Sequence, residues 1–293
     1  REYQQRQQHQ DTRLYQPPHR GGSIAHHLKD QRCIACVKPM PNPPPKVIVD
    51  NDEIIVLQAQ LGQWDNLNHL LICKKTKDAV IVDPFDGKYW HDICNDNGWN
   101  LCSAWLTHSH WDHTKGVEET QQIGGNDFKI FIHQNEKERG WEGPHTNLFT
   151  CAEMTHEQVE IGDLVFEAHC TPGHTPGHTT FIGNGLIISG DCLFLGRCGR
   201  CDLFGGDENK QRQTLQYLKE VLITLDSDNI VLPGHQYALK DGTLPTTMRV
   251  EDLLRSNSAL LAVDDDRKWN SLDFLSFDDS MAEKARRQTA KRS

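Results

Sequence analysis

The chain has 293 residues, 37% hydrophobic and 25% charged, which is enough for one sizeable core with an extension. Its formal charge of −10 is uneven: residues 1–45 hold seven Lys/Arg against three Asp/Glu, so the remainder carries −14. An acidic body of that size repels phosphate backbones, and no apolar run approaches the roughly 20 residues of a membrane span, so a nucleic-acid or membrane partner is disfavoured and a soluble enzyme is expected.

Residues 1–45 are rich in Gln, His and Pro, end in Pro41-Asn42-Pro43-Pro44-Pro45, and show no apolar periodicity, which predicts a flexible arm. His26 and His27 precede Cys33 and Cys36, a spacing that could hold zinc, although two unrelated thiols in an arm is the favoured reading. The first residue is Arg, so the natural start is read as missing or processed, and the arm, Arg-containing and poor in acids but not Ser-rich, makes a transit peptide the minority reading. From residue 46 to Tyr237 strands and helices alternate in a mixed α/β pattern. Leu164-Val165-Phe166, Leu186-Ile187-Ile188 and Ile230-Val231-Leu232 read as short buried strands, and Lys210–Leu225 as an amphipathic helix with Leu215, Leu218, Val221 and Leu222 on its apolar stripe. From Pro245 onward, Val250–Leu254 and Met281–Arg287 predict helices, whose basic end at Arg286, Arg287 and Lys291 suits a solvated helix terminus. The expected organisation is an arm over 1–45, a catalytic domain over 46–244 and a helical extension over 245–293. Ten cysteines are scattered, several inside apolar runs such as Leu71-Ile72-Cys73, and are read as reduced thiols of a cytoplasmic or organellar protein.

The chemistry concentrates in Thr107-His108-Ser109-His110-Trp111-Asp112-His113, which puts four metal-ligand side chains on one short loop. Imidazole and carboxylate together suit zinc, iron or manganese. One loop cannot close two coordination spheres, and three later segments offer partners: Thr171-Pro172-Gly173-His174, Ser189-Gly190-Asp191 and Pro233-Gly234-His235. Each is a small or Gly-rich turn beside an apolar run, as expected of loops on one rim of a sheet.

These motifs, with TPGHTPGHT, SGDCLF, GRCGRCDL and LPGHQY, resemble the metallo-β-lactamase superfamily, in particular its glyoxalase II-like branch, over roughly residues 46–260. The resemblance implies a four-layer αββα sandwich with metals at the edge of two packed sheets. It implies two divalent metal ions, zinc first with iron or manganese as alternatives, one held by His108, His110 and His174 and the other by Asp112, His113 and His235. Asp191 would bridge them with a water or hydroxide, leaving Asp112 and Asp191 as the catalytic carboxylates and His178 behind the ligands as an orienting residue. Hydrolysis of a thioester such as an S-2-hydroxyacylglutathione, by water activated at the metals, is the activity implied.

For the substrate, Arg200 occupies the loop position where glyoxalase II presents a Lys, and Tyr237 matches the family's Tyr after the last metal-binding Gly-His. Asp202 departs from the pattern by replacing a Tyr with a negative charge, which weakens the case for glutathione itself, and Cys201 is unusual beside the expected Cys198. The expected partner is a small thiol-conjugated thioester, and oligomeric state is not encoded legibly. The alternatives are a persulfide dioxygenase, which the Cys198–Asp202 run also resembles and which would use one iron on His108, His174 and Asp191, or a lactone or ester hydrolase of the same fold. Trp111 in the H-W-D-H segment favours the hydrolase.

Overall fold

A computed structural model describes residues 42–273. The arm up to residue 41, including His26, His27, Cys33 and Cys36, lies outside the described residues, as do Met281–Arg287 and Lys291.

The first sheet has seven strands that follow one another in chain order. Strands β1 (Lys46–Asp50), β2 (Ile54–Leu61), β3 (Asn66–Cys73) and β4 (Asp78–Val82) pair antiparallel. Strands β5 (Asn100–Trp105), β6 (Lys129–His133) and β7 (Asn147–Phe149) add in parallel. Parallel addition needs crossovers. They are α1 (Gly87–Asn97) before β5, α2 (Trp111–Thr114) with α3 (Val117–Gly124) before β6, and α4 (Gln134–Arg139) before β7.

The second sheet takes β8 (His156–Ile161), β9 (Leu164–Cys170), β10 (Thr179–Gly183), β11 (Leu186–Gly190), β12 (Ile230–Pro233) and β13 (Met248–Arg249), again in chain order across the sheet. Only β11 and β12 run parallel, and α5 (Glu208–Thr224) lies between them in the chain. The three apolar runs predicted as strands are β9, β11 and β12.

Side-chain alternation decides the layers. Val56, Leu71, Val80 and Trp105 of the first sheet meet Phe166, Phe181, Ile188 and Leu232 of the second in the space between them. The opposite registers, Leu57, Leu70 and Ile81, pack on Trp90 of α1 and Val117 of α3. Ile187 and Val231 turn to the far side and pack on Leu215, Leu218 and Leu222 of α5. The order is therefore helix, sheet, sheet, helix, the αββα sandwich.

Helix α5 starts two residues before the amphipathic stripe suggests, because the Asp207 carboxylate caps it by accepting from the Lys210 amide at 3.0 Å. Val221 is only half-buried at the margin of its stripe. Beyond Pro245 come α6 (Val250–Ser256), as expected, and two short turns, α7 (Ser258–Ala262) and α8 (Asp266–Trp269). Leu253, Leu260 and Trp269 join the same core cluster as α5. Asn257 ties this tail inward: its oxygen accepts from Ala259 and Leu260 amides, and its amide donates to the Phe194 carbonyl at 2.7 Å. Among the described residues no helix is long and apolar enough to cross a membrane.

Candidate metal centre

Four loops leave the C-terminal ends of β5, β9, β11 and β12 on one rim. There the sheets are stitched together, with the Thr179 amide donating to the Thr107 carbonyl at 2.7 Å and the Leu67 amide to the Gly234 carbonyl at 2.8 Å. The first loop carries His108, His110, Asp112 and His113, and the others carry His174, Asp191 and His235. All seven converge. His108, His110 and His174 form one group and Asp112, His113 and His235 another, each with its donor atoms within 4.8 Å of one another. Asp191 lies between them: Oδ2 is 3.6 Å from His174 Nε2 and 3.3 Å from His235 Nε2, and Oδ1 is 3.4 Å from His113 Nε2.

The outer ring nitrogens show which way the inner ones are prepared. His113 Nδ1 lies 2.9 Å from the Asp83 carboxylate, His174 Nδ1 2.6 Å from the Arg200 carbonyl, and His235 Nδ1 2.8 Å from the Trp64 carbonyl. His108 Nδ1 is 2.9 Å from the Thr107 hydroxyl, which itself donates to Asp83 at 2.6 Å and so accepts from the imidazole. Each acceptor fixes the outer nitrogen as N–H, and each Nε2 therefore turns a lone pair inward. His108 Nε2 and Asp191 Oδ1 are buried with no hydrogen-bond partner, the condition of atoms shaped for a cation. A Cβ on Gly234 would stand 2.3 Å from Asp191 Oδ1, so the last loop passes where only glycine fits. These donors fit two divalent cations.

Charge supports the same reading. Burial and then the imidazoles of His113, His110 and His174 hold His108 well below its ordinary value. Burial works against the charged form of His235, but Asp191 and Asp112 outweigh it and raise that imidazole to about 10. Asp191 shows the reciprocal case, its burial overcome by His235 and His113 so that the carboxyl stays ionised. The buried carboxylates thus hold positive charge at the centre of the ring: without a cation they keep a proton on His235, and a bound cation would take that proton's place.

His178 stands behind the rim, where its Nε2 accepts from the backbone amides of Asp191 at 3.1 Å and Cys192 at 3.2 Å. Four further residues support the site without a role that the motifs assign. Asp83, at a positive φ of 51°, gathers the Thr107 amide, the Thr107 hydroxyl and His113. Asn66 donates to Asp112 Oδ2 at 2.9 Å. Fully buried Glu136 accepts from the Ser109 amide and hydroxyl and from the Gly177 amide, linking two ligand loops. Arg139 donates to the Ser109 hydroxyl at 2.8 Å and lies 3.0 Å from His110 Nε2. A Glu and an Arg one turn apart on a short helix carry no local signal of this role.

Arg200 and Tyr237 stand near the rim but are already engaged. The Arg200 guanidinium grips Asp202 through Nε at 2.5 Å and a terminal nitrogen at 2.6 Å. Tyr237 packs on Phe194, centroids 4.7 Å apart, and beneath the Arg197 guanidinium at 5.1 Å. Trp111 forms an aromatic wall with Trp64 and Phe85, at 5.4 and 6.2 Å. Cys198 and Cys201 are both buried, and the eight cysteines of the described residues are free thiols.

The profile of the family described as the Metallo-beta-lactamase superfamily matches residues 63–235, a span that contains every rim loop. The chain belongs to the metallo-β-lactamase superfamily. Within it, the chain is 30% identical over 175 residues to the "Hydroxyacylglutathione hydrolase" of Shewanella halifaxensis, covering 60% of this chain and 63% of that protein. It therefore spans less than two-thirds of that relative's length. The "Probable metallo-hydrolase YqgX" of Bacillus subtilis is 32% identical over 174 residues, 54% of this chain and 79% of that protein. A solved metallo-beta-lactamase from Staphylococcus aureus superposes with a TM-score of 0.62 over 80% of this chain and 72% of that one, at 20% identity, and shows that the superfamily fold is shared.

Proposed function

We propose that the chain is a metal-dependent hydrolase of the glyoxalase II type, cleaving the thioester of a small thiol conjugate such as an S-2-hydroxyacylglutathione. The observation that carries the reading is the pair of complete donor sets on either side of Asp191. Two divalent cations held there, zinc first with iron or manganese as alternatives, would supply a Lewis acid for the thioester carbonyl and a water of lowered pKa to attack it. His108, His110 and His174 would hold one, Asp112, His113 and His235 the other, and Asp191 would face both. Asp83, Thr107 and the carbonyls of Trp64 and Arg200 keep the inner nitrogens aimed. Asp112 and Asp191 are the carboxylates within reach of a reacting water, Asp191 buried and Asp112 open to solvent on one side. Arg200 and Tyr237 would contact the thiol portion of the substrate, a role that rests on their match to the family pattern. The relatives named as hydroxyacylglutathione hydrolases support the substrate class, and the free thiols support a reducing compartment, cytoplasmic or mitochondrial.

A one-iron dioxygenase would need only His108, His174 and Asp191, and leaves the second donor set without a role. The decisive comparison is His235→Ala against His174→Ala, measuring metal per chain, turnover of S-lactoylglutathione, and oxygen uptake with glutathione persulfide. Both variants are expected to lose metal and to lose thioester turnover by roughly two orders of magnitude or more. A His235→Ala protein that kept its metal and consumed oxygen would overturn the hydrolase.

A further inference from the structure

The outer face of the second sheet carries another group of ligand side chains, set on strands β8 and β9 rather than on the rim loops. Strands β8 and β9 pair antiparallel with His156 directly opposite His169, so both imidazoles leave the same face. Glu167, two residues before His169, shares that face. The alternate positions Val159, Ile161, Phe166 and Ala168 fill the core between the sheets, which leaves the three ligand side chains on the side of α5.

Their spacing is that of a coordination sphere. Glu167 Oε2 lies 3.0 Å from His169 Nε2, and Glu167 Oε1 lies 3.4 Å from His156 Nε2. Donors placed about 2.0–2.1 Å from a tetrahedral zinc stand about 3.3 Å from one another, close to each of these two contacts, in which the two oxygens of Glu167 face one imidazole each. All three donor atoms fall within 4.8 Å. His169 is buried, and its other nitrogen is 2.6 Å from the Tyr217 hydroxyl of α5, the kind of remote partner that fixes the orientation of a ligating imidazole. His156 and Glu167 are half open to water, 45% and 44% exposed, which leaves room for an exchangeable fourth ligand.

We propose that His156, Glu167 and His169 form a surface site for a divalent transition-metal ion, zinc by its ligand set, separate from the rim centre. The site crosses the open end of the β8–β9 hairpin, just before β9 enters the loop that carries His174. An ion there would clamp that strand end to its neighbour and, through Tyr217, to α5.

The test uses the full chain, stripped of metal and titrated with zinc alone against a chromophoric chelator. Wild type and His156→Gln are compared, with Glu167→Gln as a second variant; both side chains are partly exposed, so folding should survive, and circular dichroism checks it. Each variant is expected to bind one zinc fewer than wild type in the micromolar range. Cobalt titration should show the same loss of one set of d–d bands. Equal zinc counts in wild type and both variants would overturn the proposal, including the case in which His169 and Glu167 form only a hydrogen-bonded pair. The rim centre is untouched by these substitutions, so failure here is separable from failure of the hydrolase reading, which His235→Ala tests.

Discussion

At His110 the pattern of the other rim imidazoles reverses. His108, His113, His174 and His235 each present the outer N–H to an oxygen, whereas His110 Nε2 faces the Arg139 guanidinium at 3.0 Å. A guanidinium has only donors and does not lose its proton, so it must meet Nε2 as a lone pair, leaving the proton on Nδ1. Nδ1 is the nitrogen 2.9 Å from His174 Nε2, the one a cation would need. Arg139 therefore competes with a metal for His110 and adds a buried positive charge beside it. Arg139→Gln, whose amide oxygen can accept from Nε2–H, is expected to tighten binding at the His108, His110, His174 set by about ten-fold, read by chelator competition. Weaker binding would show that Arg139 acts mainly by holding Ser109 and Glu136. Arg200 poses a second question at this scale, since its fork is already closed on Asp202. A substrate carboxylate must displace that partner. Asp202→Asn should lower KM for S-lactoylglutathione by roughly two- to five-fold with little change in kcat, and Arg200→Gln should raise it, the pair being partly exposed and worth little more. An unchanged KM in both variants would remove Arg200 from substrate binding.

The loops at the ends of β11 and β12 show how an element serves a site by what it leaves out. Gly190, at φ +47°, turns the chain after β11 so that Asp191 faces the imidazoles, and Gly234 passes against the Asp191 carboxylate. In Gly234→Ala the new methyl, 2.3 Å from Oδ1, must push Asp191 aside or move the loop that holds His235. Metal content and turnover are expected to drop by at least about ten-fold with circular dichroism unchanged. Full metal loading in that variant would mean that the loop yields freely. Helix α5 was legible for a different reason: the stripe of Leu215, Leu218 and Leu222 repeats at helical spacing because it is buried along its length, so its period survives in the sequence.

Across the whole molecule, acid sensitivity should carry a contribution from a histidine with no place at the rim. His69 on β3 is buried beside the Gln58 amide, 3.0 Å away, and burial lowers its pKa to about 3. The unfolded chain takes up a proton on this side chain below about pH 6.5, while the folded chain resists until about pH 3. Stability is therefore intact above the unfolded value and falls as pH drops through that window, at about 1.4 kcal/mol per pH unit for this one proton. His69→Gln keeps a polar partner for Gln58 and removes the titration. Urea unfolding between pH 6 and pH 4, compared with wild type at equal metal content, should show a slope shallower by about one proton. Parallel slopes would place the acid lability elsewhere.

The sequence by itself determined the ligand types, their grouping and the superfamily, because the His-x-His-x-Asp-His run and the Gly-His and Gly-Asp turns are local features whose chemistry needs no partner to be recognised. It also determined the buried strands and the main helix through apolar periodicity. What only the tertiary structure decided is how those groups are aimed and charged. Asp83 reaches His113 across thirty positions of chain and Arg139 reaches His110 from the next crossover helix, contacts made by the parallel stacking of β4, β5 and β6. The engagement of Arg200 by Asp202 depends on side-chain geometry within a loop, which spacing does not reveal. His156 meets Glu167 and His169 only because β8 and β9 pair in one particular register, and a slip of one residue would send those side chains to opposite faces. Ligand identity is written in single residues, whereas tautomer, charge balance and donor separation arise from long-range approach.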